Sequence, residues 1–358
     1  MDLDEGLEFF LATEPCIRAD INGESKEFYT DQASLASDVR EIVQCMARLK
    51  TFENVLFLSR SKAESKQKKV KSLEKAFLNL LTIDFGAIKD TFPCHEFNPF
   101  VGILLKHAER LKLELVISEF ERLGPEDLSL LREITGQIKV EINSVHVQNK
   151  LKGFRRSANK NFKSLSTYVD LLFERYARML VIRVDFTYRS EYCLPKGGEA
   201  VTHAEARTHR EELLKYFRGN KSPEILGYAW KLEYGLDKSY HYHFLLFLNG
   251  ATHREDIVIA KVLGEYWIKN ITCGKGIYYN CNKNKAAFEK KGILGVGMIS
   301  HNQAGLRAGL KLVVAYLTKP DYFIRMIAPD GGRCFGKGGK ASPKDSKRGR
   351  PRLPPECD

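Results

Sequence analysis

One stretch near the middle of the chain, Gly227 to Leu248, constrains the fold more than any other. It reads Gly-Tyr-Ala-Trp-Lys-Leu-Glu-Tyr, then the turn-like Gly235-Leu-Asp-Lys-Ser239, then Tyr-His-Tyr-His-Phe-Leu-Leu-Phe-Leu. Two aromatic and aliphatic runs around a short polar break spell a β-hairpin. Side chains alternate along a strand, so Trp230, Leu232, Tyr234, Tyr242, Phe244, Leu246 and Leu248 share an apolar face. His241 and His243 share the other. A hairpin symmetric about Asp237 sets Glu233 opposite His241 and Lys231 opposite His243, so that the acid and both imidazoles converge.

Met179–Tyr188 is a further strand, with Leu180, Ile182, Val184 and Phe186 on one face and Val181, Arg183, Asp185 and Thr187 on the other. A helix carrying Phe162, Leu165, Val169, Leu172 and Tyr176 precedes it. Helices near 200–217, 254–269 and 305–319 and short strands near 276–281 and 294–300 follow the periodicity of the rest. The fold class is α+β: a central antiparallel sheet flanked by helices. Residues 1–150 read as a mostly helical accessory region, with Leu35, Val39, Ile42, Val43, Met46 and Leu49 at helical spacing, then Val70 to Leu81, then a helix opening at Pro125. Cys94-His95-Glu96, between Pro93 and Pro99, reads as a surface turn. Residues 151–335 form the second domain. The tail, 336–358, is basic, poor in apolar residues and expected to be disordered.

The charge is split between these parts. The 358 residues carry 57 Lys+Arg and 45 Asp+Glu, a net of +12. Residues 1–150 hold 20 basic and 25 acidic side chains, leaving 37 and 20 for residues 151–358. A basic half of this kind fits a polyanionic partner, nucleic acid first. No run approaches the ~18 apolar residues of a membrane span, and the acidic Met1–Glu5 is unlike a secretory leader. The eight cysteines form no CxxC pair, which argues against a zinc ribbon or disulfide scaffold and fits a reducing cytoplasm.

Two imidazoles and a carboxylate on one strand face are ligands for a divalent ion such as Mg2+ or Mn2+. A metal beside basic surface suggests phosphoryl transfer, which raises the question of a nucleophile. Tyr-x-x-Lys occurs three times, at Tyr228/Lys231, Tyr266/Lys269 and Tyr316/Lys319. Tyr228 points to the core side of its strand. Tyr316 and Lys319 share a helix face just before Pro320. A phenol of pKa about 10 needs a nearby cation or metal to lose its proton.

In order along the chain, VIRVDFTY, Glu233 followed by HYHFLLFL, and VVAYLTKPD resemble the HUH endonucleases that initiate rolling-circle replication. The nearer likeness is to initiators of filamentous bacteriophages and to YagK/YfjJ-type prophage proteins, over roughly residues 155–335. The resemblance implies an HUH-like sheet and a metal held by His241, His243 and Glu233. It implies attack by Tyr316 on a DNA phosphodiester, with Lys319 positioning it, giving a 5′-phosphotyrosyl link and a free 3′-OH. With Tyr322 beyond Pro320, the chain reads as a single-tyrosine enzyme, its second cleavage left to another subunit, to Tyr266 or to water. Candidate DNA contacts are Arg155, Arg156, Lys160, Trp267, Tyr278, Tyr279 and Arg307. The implied partners are single-stranded or supercoiled origin DNA and a host helicase or polymerase, in the cytoplasm of a bacterial host, with no membrane. Alternatives are a plasmid relaxase, a single-tyrosine transposase, a metal-dependent nuclease without a covalent step, and a non-catalytic DNA-binding regulator on a degenerate HUH scaffold.

Overall fold

The structure is a computed structural model. It describes residues 16–21, 24–29, 32–53, 55–57, 64–114, 123–193, 200–219, 222–235 and 239–339. The strands are β1 (Cys16–Ile21), β2 (Glu24–Tyr29), β3 (His95–Phe97), β4 (Arg178–Tyr188), β5 (Ile225–Gly235), β6 (Ser239–Asn249), β7 (Gly276–Asn280), β8 (Gly297–Ser300), β9 (Ile324–Met326) and β10 (Phe335–Lys337). The helices are α1 (Gln32–Thr51), α2 (Glu64–Leu80), α3 (Phe85–Thr91), α4 (Pro99–Glu114), α5 (Pro125–Ile142), α6 (Val145–Arg175), α7 (His203–Phe217), α8 (Asp256–Tyr266), α9 (Lys285–Lys290) and α10 (Ala304–Thr318). None of the described helices is long and apolar enough to cross a membrane.

The chain divides into two compact units. One holds Met1–Thr30, Ala158–Pro320 and Met326–Asp358; the other holds Asp31–Ser157 and Asp321–Arg325. The second unit is helical, as its periodicity predicts. Val39, Ile42, Val43, Met46 and Leu49 of α1 are buried, as are Leu73 and Phe77 of α2 and Leu131, Ile134, Ile138 and Ile142 of α5. Two expectations for the N-terminal region change. Its first described elements are strands, β1 paired antiparallel with β2. Cys94-His95-Glu96 is no free turn: His95–Phe97 forms a strand, and Glu96 is held by Arg325 at 2.9 Å.

The first unit is built on an antiparallel sheet of order β10-β5-β6-β4-β7, with β8 also paired to β4. The hairpin register is as the sequence predicts, with Glu233 across from His241 and Lys231 across from His243. The turn residues 236–238, Asp237 included, lie outside the described residues. The long central strand β4 pairs with β6 on one side. On the other it pairs with β8 over Arg178–Val181 and with β7 over Val184–Tyr188. The changeover leaves a gap in the ladder that the Asn282 side chain fills: its Oδ1 accepts from Arg183 N at 2.9 Å, and its Nδ2 donates to Val181 O at 3.0 Å. A buried backbone group left unpaired is costly, so this amide keeps β4 continuous where the site is built.

Both sheet faces are covered. Leu180, Ile182, Val184, Phe186, Trp230, Leu232, Tyr242, Phe244 and Leu246 pack beneath α7 and α8. Met179, Val181, Ala229, Leu245 and Phe247 pack beneath α6 and α10. Gly309 lets α10 approach closely, because a Cβ there would overlap the Leu294 carbonyl. The tail begins later than its composition suggests: Phe335–Lys337 pairs with Ala229–Lys231 and extends the sheet. Residues 340–358 lie outside the described residues.

Candidate metal centre and tyrosine

The imidazole-bearing face of the sheet is apolar at one end of its strands and polar at the other. At the polar end, Glu233 Oε2 lies 3.4 Å from His241 Nε2 and 3.3 Å from His243 Nε2. The two rings stand at 90° with centroids 4.9 Å apart. One ligand atom from each of the three residues falls within 4.8 Å of the others. Donors about 2.1 Å from a common ion sit roughly 3.0–3.4 Å from one another in octahedral or tetrahedral geometry, a spacing that Glu233 Oε2 already keeps to each imidazole. A second observation agrees. His241 Nε2 is buried, and its approach to Glu233 Oε2 at 3.4 Å is too long for a good hydrogen bond. Glu233, His241 and His243 can therefore hold a divalent metal.

Behind the ligands stands a further carboxylate, outside the predicted ligand set. Asp185 on β4 pairs in register with His243. Its Oδ1 is 2.9 Å from His243 Nδ1, a contact bent away from a straight hydrogen bond. A carboxylate against Nδ1 orients the ring and leaves Nε2 facing Glu233. Arg183, two residues back on the same strand face, is 4% exposed and reaches Asp185 Oδ2 at 3.2 Å. Burial works to raise the carboxyl pKa of Asp185, but Arg183 and then His243 overcome it and hold it well below the usual range. Burial likewise opposes ionisation of Glu233, and the imidazoles of His243 and His241 outweigh it. Both acids are thus ionised in the folded chain, the form a cation needs. The signal for Asp185 and Arg183 was visible as two charges at even spacing in an apolar strand. Their partner on β6 was not.

Tyr316 enters from α10. Its Oη is 3.3 Å from His243 Nε2, and its ring packs edge-on to His243 at 5.3 Å. The phenol is thus beside the metal ligands, although only 1% of the residue is exposed. Lys319 keeps helical backbone geometry, its N–H donating to Ala315 O, and its side chain is engaged on α6. α10 ends at Thr318, and Lys319 is its cap residue. Its ammonium donates to Asn159 Oδ1 on α6 at 2.6 Å and lies 4.6 Å from the Phe162 ring centroid. The cation placed over the Tyr316 ring is Arg183, whose guanidinium carbon is 4.1 Å from the centroid.

Several expected DNA contacts are placed elsewhere. Trp267 is fully buried at the end of α8, where a π-helical turn over Trp267–Ile271 begins. Its Nε1 donates to Thr187 O at 3.1 Å and its ring packs on Phe186 and Tyr188, so no face is left for a base. Tyr278 belongs to the core under α7 and α8. Tyr279 is 6% exposed, and its hydroxyl accepts from Asn284 Nδ2 at 2.5 Å. Arg307 is paired with Asp170 at 2.5 Å over the Phe173 ring. Arg155, Arg156 and Lys160 are exposed on α6. Tyr266, the candidate for a second cleavage, stacks on Tyr216 at 3.7 Å against the opposite core. It does not share a face with the metal ligands.

Fold and site together define an α+β protein with an antiparallel sheet and a histidine–carboxylate centre beside a buried tyrosine. The model of the YagK/YfjJ C-terminal domain matches residues 141–338, more than half of the chain, and the chain belongs to that family. The family is associated with phage- and prophage-like proteins. No curated protein and no solved structure matches.

Proposed function

We propose that the protein is a metal-dependent, single-tyrosine DNA endonuclease and strand transferase, acting as a rolling-circle replication initiator of a phage, prophage or plasmid. The observation that carries this reading is the 3.3 Å approach of Tyr316 Oη to His243 Nε2, within a set of three convergent ligands. That contact brings the phenol oxygen to the metal ligands. An oxygen nucleophile for a metal-polarised phosphate must sit there. A divalent ion on Glu233, His241 and His243 would act as a Lewis acid on a phosphoryl oxygen. The residues of the chain do the rest. Asp185 fixes the His243 ring, and Arg183 lies over the Tyr316 ring. Tyr316 Oη forms a bond to phosphorus as the P–O3′ bond breaks. The phenolic proton is released, and the departing 3′ oxygen takes one up. The products are a 5′-phosphotyrosyl link and a 3′-OH. Because the bond is exchanged rather than hydrolysed, the reverse step rejoins strands.

Single-stranded or supercoiled origin DNA is the proposed substrate, with the exposed Arg155, Arg156 and Lys160 as contacts. A host polymerase would extend the freed 3′ end while a host helicase separates the strands, in the cytoplasm of the bacterial host. The same chemistry serves a plasmid relaxase or a single-tyrosine transposase, and the DNA site cut distinguishes these from an initiator. The 1% exposure of Tyr316 favours a second reading, a metal-dependent nuclease in which the tyrosine only packs.

Incubation with single-stranded oligonucleotides and Mn2+, followed by a denaturing gel, separates the readings. The proposal expects an adduct that survives denaturation and is absent in Tyr316→Phe. DNA bound without an adduct overturns it in favour of a binding regulator. Cleavage that persists in Tyr316→Phe establishes the non-covalent nuclease.

A further inference from the structure

We propose that Arg183 is the positioning residue for the tyrosine nucleophile, the part that the helical spacing would give to Lys319. The inference deepens the proposed function and rests on it. Two contacts meet on one buried guanidinium. Its carbon lies 4.1 Å from the Tyr316 ring centroid, and its Nη2 reaches Asp185 Oδ2 at 3.2 Å. Asp185 in turn holds His243, against whose Nε2 the phenol rests. Arg183 is therefore the side chain that touches both the ring of the nucleophile and the support of a metal ligand. Its own backbone is fixed by Asn282, the amide that closes the gap in β4.

A buried cation has to be held by partners, since an arginine with none would cost several kcal/mol. Here the partners are a carboxylate and an aromatic face. The ring quadrupole attracts the guanidinium whether the phenol is neutral or ionised, and an ionised phenol adds charge attraction. Planarity matters, because a guanidinium can lie on the ring and still present an edge to Asp185, whereas an ammonium is a single point of charge. The Lys319 ammonium donates to Asn159 and lies over the Phe162 ring on α6.

The test uses the full chain with Mn2+ and a single-stranded oligonucleotide that the wild type joins. Adduct formation is followed under single turnover over a range of oligonucleotide concentrations. Arg183→Met is expected to lower the saturating rate about 30-fold, the equivalent of a ~2 kcal/mol cation–π contact. The half-saturating oligonucleotide concentration should stay within about threefold. Arg183→Lys keeps the charge and loses the fork, and should recover part of the rate. A loss confined to the half-saturating concentration would make Arg183 a DNA contact and overturn the proposal, as would an unchanged saturating rate.

A second measurement needs no activity. Urea unfolding of Arg183→Lys, Tyr316→Leu and the double variant, without metal, should be non-additive, because the two side chains share one contact. Additive losses overturn the proposal even if no DNA is ever joined. A wild type that forms no adduct but shows non-additivity refutes the proposed function and leaves the Arg183–Tyr316 contact standing.

Discussion

The two faces of the central sheet are made by the same strands and are both buried, yet they differ along their length. Under α7 and α8 the face is apolar from end to end, from Leu248 and Leu180 through Phe244 and Val184 to Tyr240 and Tyr188. Under α6 and α10 the apolar character stops midway. Val181, Leu245, Phe247 and Ala229 fill one half, and Arg183, Asp185, Lys231, Glu233, His241 and His243 fill the other. Antiparallel register turns three separate polar stretches into one cluster: Asp185 faces His243, His243 faces Lys231, and His241 faces Glu233. A cluster of that kind costs free energy unless every group is paired, and an apolar replacement on the same strands would stabilise the fold at least as well. Its persistence under a helical cover points to chemistry. The uniform face shows what these strands look like when stability is their one task.

The largest expected effect tests the polar half. His241→Ala should lower adduct formation by about a thousandfold or more, since a three-ligand site loses a ligand and the nucleophile loses its target. It should also abolish the Mn2+-dependent rise in unfolding midpoint, which for wild type at 100 times the dissociation constant is worth about 2.7 kcal/mol. DNA binding should remain. Loss of binding as well, measured by fluorescence anisotropy, would show that the histidines hold the fold and that the two halves do not differ in kind.

The next effect tests the uniform face. Phe244 is fully buried and packs edge-on to Phe186 and Phe217. Phe244→Ala should destabilise by ~3–5 kcal/mol in urea unfolding. The Mn2+ affinity of the protein that remains folded should not change, because the ring lies on the far side of β6 from His243. A tenfold weaker Mn2+ affinity would show that the faces are coupled through the strand.

How far this contrast was legible in the sequence depended on range. The hairpin register was readable because both strands and their turn lie within a few residues of one another, so period-two alternation and symmetry about Asp237 suffice. The partner of β4 was not readable. Its alternation shows that Arg183 and Asp185 share a face, but placing Asp185 against His243 requires a pairing between strands more than 50 residues apart in sequence. Asn282 was invisible for the same reason: nothing local marks an asparagine as the patch for a gap in a distant strand. Helical spacing puts Lys319 one turn from Tyr316 and its backbone keeps that geometry, but spacing cannot show that its ammonium bonds Asn159, 160 residues back. Trp267 was open to a local reading. Its spacing from Leu263 already put it on a buried stripe, and the π-helical turn keeps it there.

Trp267 gives a smaller test, on the uniform face. Trp267→Phe removes the bond to Thr187 O and some packing area, and should cost ~1–2 kcal/mol of stability. Affinity for single-stranded DNA should stay within experimental error. A base-stacking tryptophan would instead lose ~1–3 kcal/mol of binding per base. Weakened binding at full stability would place the ring at the surface and return this face to DNA recognition.

Lys319 should show the smallest effect, and it bears on the polar half from outside. Its bond to Asn159 ties the end of α10, the helix that carries Tyr316, to α6. Lys319→Gln keeps a donor of shorter reach, and weakening one hydrogen bond of ~1 kcal/mol should slow adduct formation by about fivefold or less. Asn159→Ala should produce the same modest loss, and the double variant should add little to either, because both act through a single bond. A hundredfold loss in Lys319→Gln with none in Asn159→Ala would mean that the ammonium leaves Asn159 for the phenol when DNA is bound. The cation that serves the nucleophile would then come from the helix rather than from the sheet.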